Sequence, residues 1–377
     1  MRPDIRIGIS GWTYAPWRGT FFPEGLPQNR ELSYASHLLP SIEINGTFYS
    51  LQRPSSYQTW YEQTPADFLF SIKGPRFITH IKRLKNIGLP LANFFASGVL
   101  RMNEKLGPLL WQLPPSFAFD ADRLRAFFEL LPRDTKSAAT LARRHDHHLK
   151  HGSWTKIDGN RRLRHALEIR HDSFKCEAFV RLLREYDIAL VVADTAGKWP
   201  LMEDVTSDFV YVRLHGDAEL YVSGYTPEAL DAWAAKIAAW SKGRDSPNAR
   251  LHAASIEKSA TSRDVYAYFD NDVKTHAPYD AMSLAHRLGL APPPPAGPLP
   301  HSGPTPTARP RWPGYGSPRS ISSQPPGKRG LAKMTNQSRA HSSQPQPAAR
   351  KRQSPPARPE PTAARSRARK NTMSLNR

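Results

Sequence analysis

The sequence predicts an α/β fold: a (β/α)8 TIM-like barrel over residues 1–290, followed by a disordered basic tail over residues 291–377. Three observations predict it. Eight short β-rich runs follow one another, helical periodicity marks most of the segments between them, and the composition breaks sharply after Leu290.

The runs are IRIGIS (5–10), SIEIN (41–45), FLFSIK (68–73), GPLLWQL (107–113), RHALEIR (164–170), IALVVAD (188–194), FVYVRLH (209–215) and DVYAYFD (264–270). Several alternate apolar and polar residues with period two, which is the signature of a strand. Between them, DRLRAFFELL (122–131) sets Leu124, Phe127, Phe128 and Leu131 on one helical stripe. EAFVRLLREY (177–186) and PEALDAWAAKIAAW (227–240) repeat that pattern, the latter opened by Thr226 as N-cap and Pro227 as first helical residue. Strands alternating with helices build a parallel sheet. Eight of them close it into a barrel; a doubly wound open sheet is the alternative.

After Leu290 the segment APPPPAGPLP ends the last helix, since consecutive prolines lack the amide donors a helix needs. The remaining Pro, Ser, Arg, Ala and Gln cannot bury enough apolar surface to offset their ordering entropy. Charge divides at the same place. Residues 1–290 carry 37 Lys/Arg against 32 Asp/Glu, whereas 291–377 carry 16 against one, so the basic character belongs to the tail. A single cysteine, Cys176, excludes an internal disulfide framework and fits a reducing compartment. The N-terminal MRPDIRIGIS lacks the apolar stretch of a signal peptide. No run approaches the roughly 18 apolar residues of a membrane helix. A soluble, cytoplasmic protein is expected.

In a barrel the helix-facing side of every strand must be apolar, and this sets the phase of each run. Outward Ile5, Ile7 and Ile9 leave Arg6, Gly8 and Ser10 inside; outward Ile42 and Ile44 leave Glu43 and Asn45. The third and fourth runs contribute Ser71, Lys73 and Gln112, the fifth Glu168 and Arg170, and the sixth ends on Asp194. The seventh turns Tyr211, Arg213 and His215 inward, and the eighth Tyr266, Tyr268 and Asp270. Barrel interiors are usually filled by Val, Ile and Leu. This one is charged with both signs, so its charges must pair with one another or meet a ligand. They also cluster at the C-terminal ends of the strands, where barrel enzymes keep their chemistry. The plainer alternative is an ion-pair network that only fills the barrel. The loops beyond the strands add Trp12 in GWTYAPW (11–17), Tyr49 in NGTFYS (45–50) and His80 in RFITH (76–80). Aromatic groups beside a charged mouth suit a ring-shaped ligand, or else form a lid that packs on itself.

The stretches GISGWTYAPW, IEINGTFY, IKGPRFITH, LLWQLPPSF, EIRHDSF, VYVRLHG and VYAYFDND resemble, in order, the motifs of the YecE-like family, a conserved domain of unknown function. The resemblance spans about residues 5–290 and implies a TIM-barrel fold without implying a reaction. Gly46 stands where that family commonly has a hydroxyl residue, and Phe174 where it commonly has tryptophan.

Two carboxylates in unlike environments can divide acid and base roles. Glu43, Glu168 and Asp194 at strand ends, with His215, are the catalytic candidates for a hydrolase-like reaction. Lys73, Arg170 and Arg213 form a candidate clamp for a phosphate or carboxylate, a task to which the planar guanidinium fork is suited. Asn45, Tyr49, Trp12, His80 and Asp272 complete the candidate binding surface. The same three cations oppose a metal ion at the mouth, and no cofactor is expected; the chain has no P-loop, GxGxxG or GxSxG pattern, which disfavours nucleotide-triphosphate hydrolysis, dinucleotide redox chemistry and ordinary serine-hydrolase chemistry. The rival class is a binding module that captures nucleotides or single-stranded nucleic acid by stacking and phosphate contacts, with the basic tail adding a salt-dependent term. HDHHLKH (145–151) sets His147 and His151 at a spacing that chelates zinc on a helix, but its Lys and Arg neighbours favour a solvated segment. Cys176 reads as a small apolar filler. No heptad or apolar face indicates an oligomeric state.

Overall fold

The structure is a computed structural model and describes residues 3–255 and 262–295. The eight runs form eight parallel strands: β1 (Ile5–Ser10), β2 (Ser41–Ile44), β3 (Leu69–Lys73), β4 (Leu106–Gln112), β5 (His165–Glu168), β6 (Ala189–Asp194), β7 (Phe209–Leu214) and β8 (Asp264–Phe269). They pair in sequence order around a closed ring. What separates the barrel from an open sheet is the pairing of β1 with β8, in register from Ile5 opposite Val265 to Ile9 opposite Phe269. The disordered tail expected over 291–377 lies outside the described residues from position 296 onward.

Nine α-helices are assigned among the described residues: α1 (Glu31–Leu38), α2 (Gly46–Tyr49), α3 (Pro54–Glu62), α4 (Gly88–Ala96), α5 (Ala121–Leu130), α6 (Thr135–Ala142), α7 (Glu177–Glu185), α8 (Pro227–Ser241) and α9 (His276–Arg287). Local chemistry starts several of them. The Asp120 side chain accepts from the Arg123 amide at the head of α5, and Thr226 accepts from Ala229 at the head of α8, each satisfying an orphan donor. In α7 the stripe Phe179, Val180, Leu182 and Leu183 is buried against the barrel. None of the described helices is long and apolar enough to cross a membrane.

Two apolar cores result from the strand phase. The outer core, between strands and helices, takes Ile7, Ile9, Ile42, Ile72, Trp111, Leu167, Val212 and Phe269. Each such side chain contributes about 1.5–3 kcal/mol by leaving water. The inner core takes Leu110, Ala166, Ala189, Val191, Ala193, Phe209, Tyr211, Tyr266 and Tyr268. Gly8 is required where β1 meets β2, because a Cβ there would stand 2.1 Å from the Ser41 carbonyl oxygen.

The phase expected from the sequence fails in one strand. In β6, Ala189, Val191 and Ala193 fill the interior while Leu190 and Val192 join the outer core. Asp194 therefore shares the outward phase and is not part of the inward ring. Its carboxylate accepts from the Tyr225 hydroxyl at 3.0 Å. Every residue of β6 up to Ala193 is apolar, so polarity could not set the phase.

Candidate active site at the barrel mouth

Polar groups inside the barrel occur in levels. Near the N-terminal end, Arg6 reaches Asp4 and the Asp67 carbonyl, and Arg164 reaches Asp264 at 2.7 Å and the Tyr266 hydroxyl at 3.1 Å. In the middle, the Tyr268 hydroxyl pairs with Ser41 Oγ at 2.7 Å and the Tyr211 hydroxyl with Ser71 Oγ at 2.6 Å, so buried phenols find partners. Above them, at the C-terminal strand ends, lies a layer of charges.

Arg213 is the centre of that layer and has no exposed surface. Its Nε donates to Glu43 Oε2 at 3.1 Å and its Nη2 to Glu43 Oε1 at 2.8 Å. Nη1 donates to Glu168 Oε2 at 2.9 Å, and Nη2 also reaches Asp270 Oδ2 at 2.7 Å. Glu43 further accepts from Ser10 Oγ at 2.8 Å and the Tyr211 hydroxyl at 2.6 Å. Glu168 accepts from Gln112 Nε2 and from Arg170 Nε, each at 2.8 Å. One cation thus serves three carboxylates, each with further donors or another positive group beside it, as buried charge requires.

The protonation states follow from this wiring. Burial alone would raise the Glu168 carboxyl, but Arg170 and Arg213 outweigh it and hold it well below the usual carboxylate range. Asp270 is likewise pulled down against burial by Arg213 and His215. His215 is pushed below the ordinary histidine value by burial and by Arg213. Its Nε2 accepts from Arg213 Nη1 at 3.2 Å, which assigns the ring proton to Nδ1, 3.1 Å from Asp270 Oδ2. The Asp272 carboxyl goes the other way: burial, then the neighbouring Asp270, raises it well above the ordinary value. Its Oδ1 is buried without a hydrogen-bond partner, as is Oδ1 of Asn45, and the Tyr14 phenol lies beside both side chains.

Two cations at the mouth differ from Arg213. Arg170 donates to Glu168, stacks its guanidinium 3.7 Å from the Trp199 ring centroid and approaches the Tyr221 hydroxyl at 3.4 Å. It also lines a cleft of about 720 Å³ with Lys175, Lys198, Asp194 and Arg250. Lys73, at the end of β3, has its Nζ 4.5 Å from the Phe48 ring centroid, and among the described residues that amine has no hydrogen-bond or ion-pair partner. Burial, together with Arg213, pushes it down to about 8.

Of the residues expected from the sequence, Glu43, Glu168, Lys73, Arg170, Arg213 and His215 do meet at the mouth, with Asp270 and Gln112 from the same phase rule. His80 stands beside them, its ring 5.1 Å from Phe48, and is pushed down to about 4 by burial and by Arg170 and Lys73. Trp12 packs edge-on against Trp60 and, with Asn45 and Tyr14, lines a separate cleft of about 290 Å³. Tyr49 is 72% exposed and lines a more apolar cleft of about 440 Å³ with Phe48 and Phe77.

Three expected roles change with this geometry. Arg213 cannot act as a free anion clamp, since its donors are already committed to Glu43, Glu168 and Asp270. Glu43 and Glu168 share that arginine, and Glu168 is held ionised, so Glu168 is not the protonated carboxyl that a general acid needs. Asp194 lies outside the ring. The HDHHLKH stretch is not helical, so His147 and His151 do not share a helix face. Asp146, His147 and His148 come together there instead, on the surface.

Trp199, Tyr221 and Tyr225 are site residues the sequence did not single out. They sit on loops after β6 and β7, where no strand phase applies. Tyr221 adopts a φ of 66°, a left-handed conformation that costs a non-glycine residue about 1–2 kcal/mol. Strain of this kind concentrates at functional sites.

A closed eight-stranded parallel barrel, with charged and aromatic groups at the C-terminal ends of its strands, defines the class: a TIM-like barrel protein with its candidate site at the mouth. The chain belongs to the family described as "Protein of unknown function DUF72", which matches residues 6–304 and includes the YecE-like proteins. It is 31% identical over 113 residues to "UPF0759 protein YecE" of Escherichia coli (strain K12), covering 30% of this chain and 39% of that one. It is 28% identical over 118 residues to "UPF0759 protein YunF" of Bacillus subtilis (strain 168), covering 30% and 41%. The matched part thus spans about two fifths of each of these relatives. Among solved structures, a DUF72 family protein from Thermotoga maritima superposes with a TM-score of 0.56 at 24% identity, over 76% of this chain and 99% of that one. One from Enterococcus faecalis superposes with a TM-score of 0.55 at 15% identity, over 76% and 96%. These likenesses concern the fold.

Proposed function

We propose that residues 1–290 form a cytoplasmic enzyme that performs acid–base chemistry on a small phosphate- or carboxylate-bearing substrate at the barrel mouth. One observation carries this reading. A layer of buried charges neutralises itself around Arg213, yet at its edge stand Lys73, whose amine has no hydrogen-bond or ion-pair partner among the described residues, and Arg170, which lines a cleft of about 720 Å³. A layer built only for stability would gain little over apolar packing and has no use for an unpaired buried cation. In this reading Arg170, aided by Lys175 and Lys198, holds the anionic group. Asp272, kept protonated, replaces Glu43 and Glu168 as the proton donor, and Asp270 and Glu168 remain the fixed negative field around the reacting end.

The test is mass spectrometry of small molecules retained by the full-length chain through purification, compared with Arg170→Ala. A phosphorylated or carboxylated compound kept by the wild type and lost in the variant supports the reading and identifies the substrate class. Retention of the same compound by both proteins would overturn the clamp.

A second reading, capture of nucleotides or single-stranded nucleic acid without turnover, is favoured by the exposed rings of Tyr49 and Phe77 at the rim. The tail, with 16 basic residues and one acidic, would add a steep salt dependence. Mobility shifts of the full chain and of Tyr49→Ala, Phe77→Ala, read across a salt series, separate stacking at the rim from charge on the tail.

A further inference from the structure

We infer that Lys73 is a covalent nucleophile: its amine condenses with an aldehyde or ketone carbonyl of the anionic substrate to form an iminium. The inference rests on the enzyme reading above and names its substrate class, a carbonyl compound that also carries a phosphate or carboxylate.

The geometry points to this role in three ways. Lys73 closes β3 at the C-terminal end of the barrel, where the side chain is buried with 7% of the residue's surface left exposed. The carboxylates nearest it are already engaged: Glu43, Glu168 and Asp270 all accept from Arg213. They therefore attract Lys73 without capturing it in an ion pair, and Nζ rests against the Phe48 ring instead. Finally, the charged groups that face it come from strands on every side, Arg213 from β7, Glu43 from β2, Glu168 from β5 and Asp270 from the end of β8. A lysine desolvated beside another cation is the standard way to obtain a neutral, nucleophilic amine near neutral pH. The shift of Lys73 to about 8, caused by burial and then by Arg213, agrees with that placement.

The step balances without a further reactant. The Nζ lone pair forms a C–N bond to the carbonyl carbon, and the carbonyl π pair moves to oxygen, which takes a proton. The nitrogen gives up a proton, a second proton reaches the hydroxyl, and the C–O bond breaks to release water and leave C=N–H⁺. Asp272, within the field of the same Arg213, Glu43 and Asp270, is the carboxyl held protonated to donate it. The iminium then takes up the electron pair of an adjacent C–H bond as its proton passes to the Asp272 carboxylate left by that donation; return of a proton to the enamine carbon regenerates the iminium, and addition of one water releases the carbonyl compound and the amine. The reaction class is reversible bond cleavage next to a carbonyl.

The test uses the full-length protein. Brief treatment with formaldehyde and cyanoborohydride at pH 7 methylates amines through their imines, and peptide mass spectrometry reads each lysine separately. Lys73 is expected to react at least about tenfold faster than exposed lysines such as Lys175, because far more of it is unprotonated. Equal or slower reaction overturns the inference. The second arm uses glyoxylate, an aldehyde bearing a carboxylate, with borohydride. A single adduct on Lys73, weakened several-fold in Arg170→Ala, supports both imine and clamp. An adduct on Lys73 that is unchanged in Arg170→Ala keeps the imine and removes the clamp. Glyoxylate bound by calorimetry but never trapped on Lys73 keeps the anion site and overturns the imine.

Discussion

Arg213 and Glu43 are joined twice, Nε to Oε2 at 3.1 Å and Nη2 to Oε1 at 2.8 Å, across the interior from β7 to β2. This forked contact uses the guanidinium side-on and leaves Nη1 for Glu168. A lysine, a point charge on a flexible stem, could not span these carboxylates. Replacing Arg213 by Met or Lys is therefore expected to cost about 3–5 kcal/mol, because it strands buried carboxylates. Urea denaturation at pH 7 measures it. Part of the loss should return near pH 5 in Arg213→Met, as the stranded acids take up protons.

Acid stability has a definite sign. Glu168 and Asp270 are depressed in the folded state, so the unfolded chain binds protons first as the pH falls. Their stabilisation is fully present above about pH 5 and is lost as the pH falls through the ordinary carboxylate values of about 4 and below. Denaturation midpoints between pH 7 and pH 3 should fall along that limb. In Glu168→Gln the limb should be shallower, with a lower plateau at pH 7.

Asp272 predicts the opposite slope. Its folded carboxyl keeps a proton that the unfolded chain gives up, so it penalises the fold at neutral pH. Asp272→Asn should raise the melting temperature at pH 7, and the gain should vanish near pH 3, where both states are protonated. The same variant should lose turnover, since an amide supplies no proton.

The Tyr211 hydroxyl joins two levels of the interior, donating to Glu43 Oε2 while it pairs with Ser71 Oγ, both at 2.6 Å. Removing that hydroxyl in Tyr211→Phe leaves buried oxygens short of a partner, at a cost of about 1–3 kcal/mol. The double variant with Ser71→Ala should cost less than the sum of the single changes, a coupling that a double-mutant cycle reads directly.

Where the strand phase was legible, so was the site. Alternation in β1, β2, β5, β7 and β8 placed Ser10, Glu43, Glu168, Arg213 and Asp270 inside, because a helix-facing side cannot be charged. β6, apolar up to Ala193, carries no such mark, and Asp194 was misplaced for that reason. Which charges are spent and which are free was not legible. That depends on distances among strands far apart in the chain, as with Arg213 and Lys73, which look alike in sequence. Trp199 and Tyr221 were hidden because loop residues follow no period.

The pairing of β1 with β8 also fixes when the molecule can become itself. Ile5 waits for Val265, so the first strand made finds its second neighbour only when nearly the whole barrel has left the ribosome. Asp270 arrives with that closing strand, long after Glu43, Glu168 and Arg213 have been synthesised. Until then the unfinished ring presents two unpaired edges, and the charges of its interior stay hydrated. Such long-range closure makes for slow folding, and the incomplete chain is the form most exposed to chaperones and to aggregation.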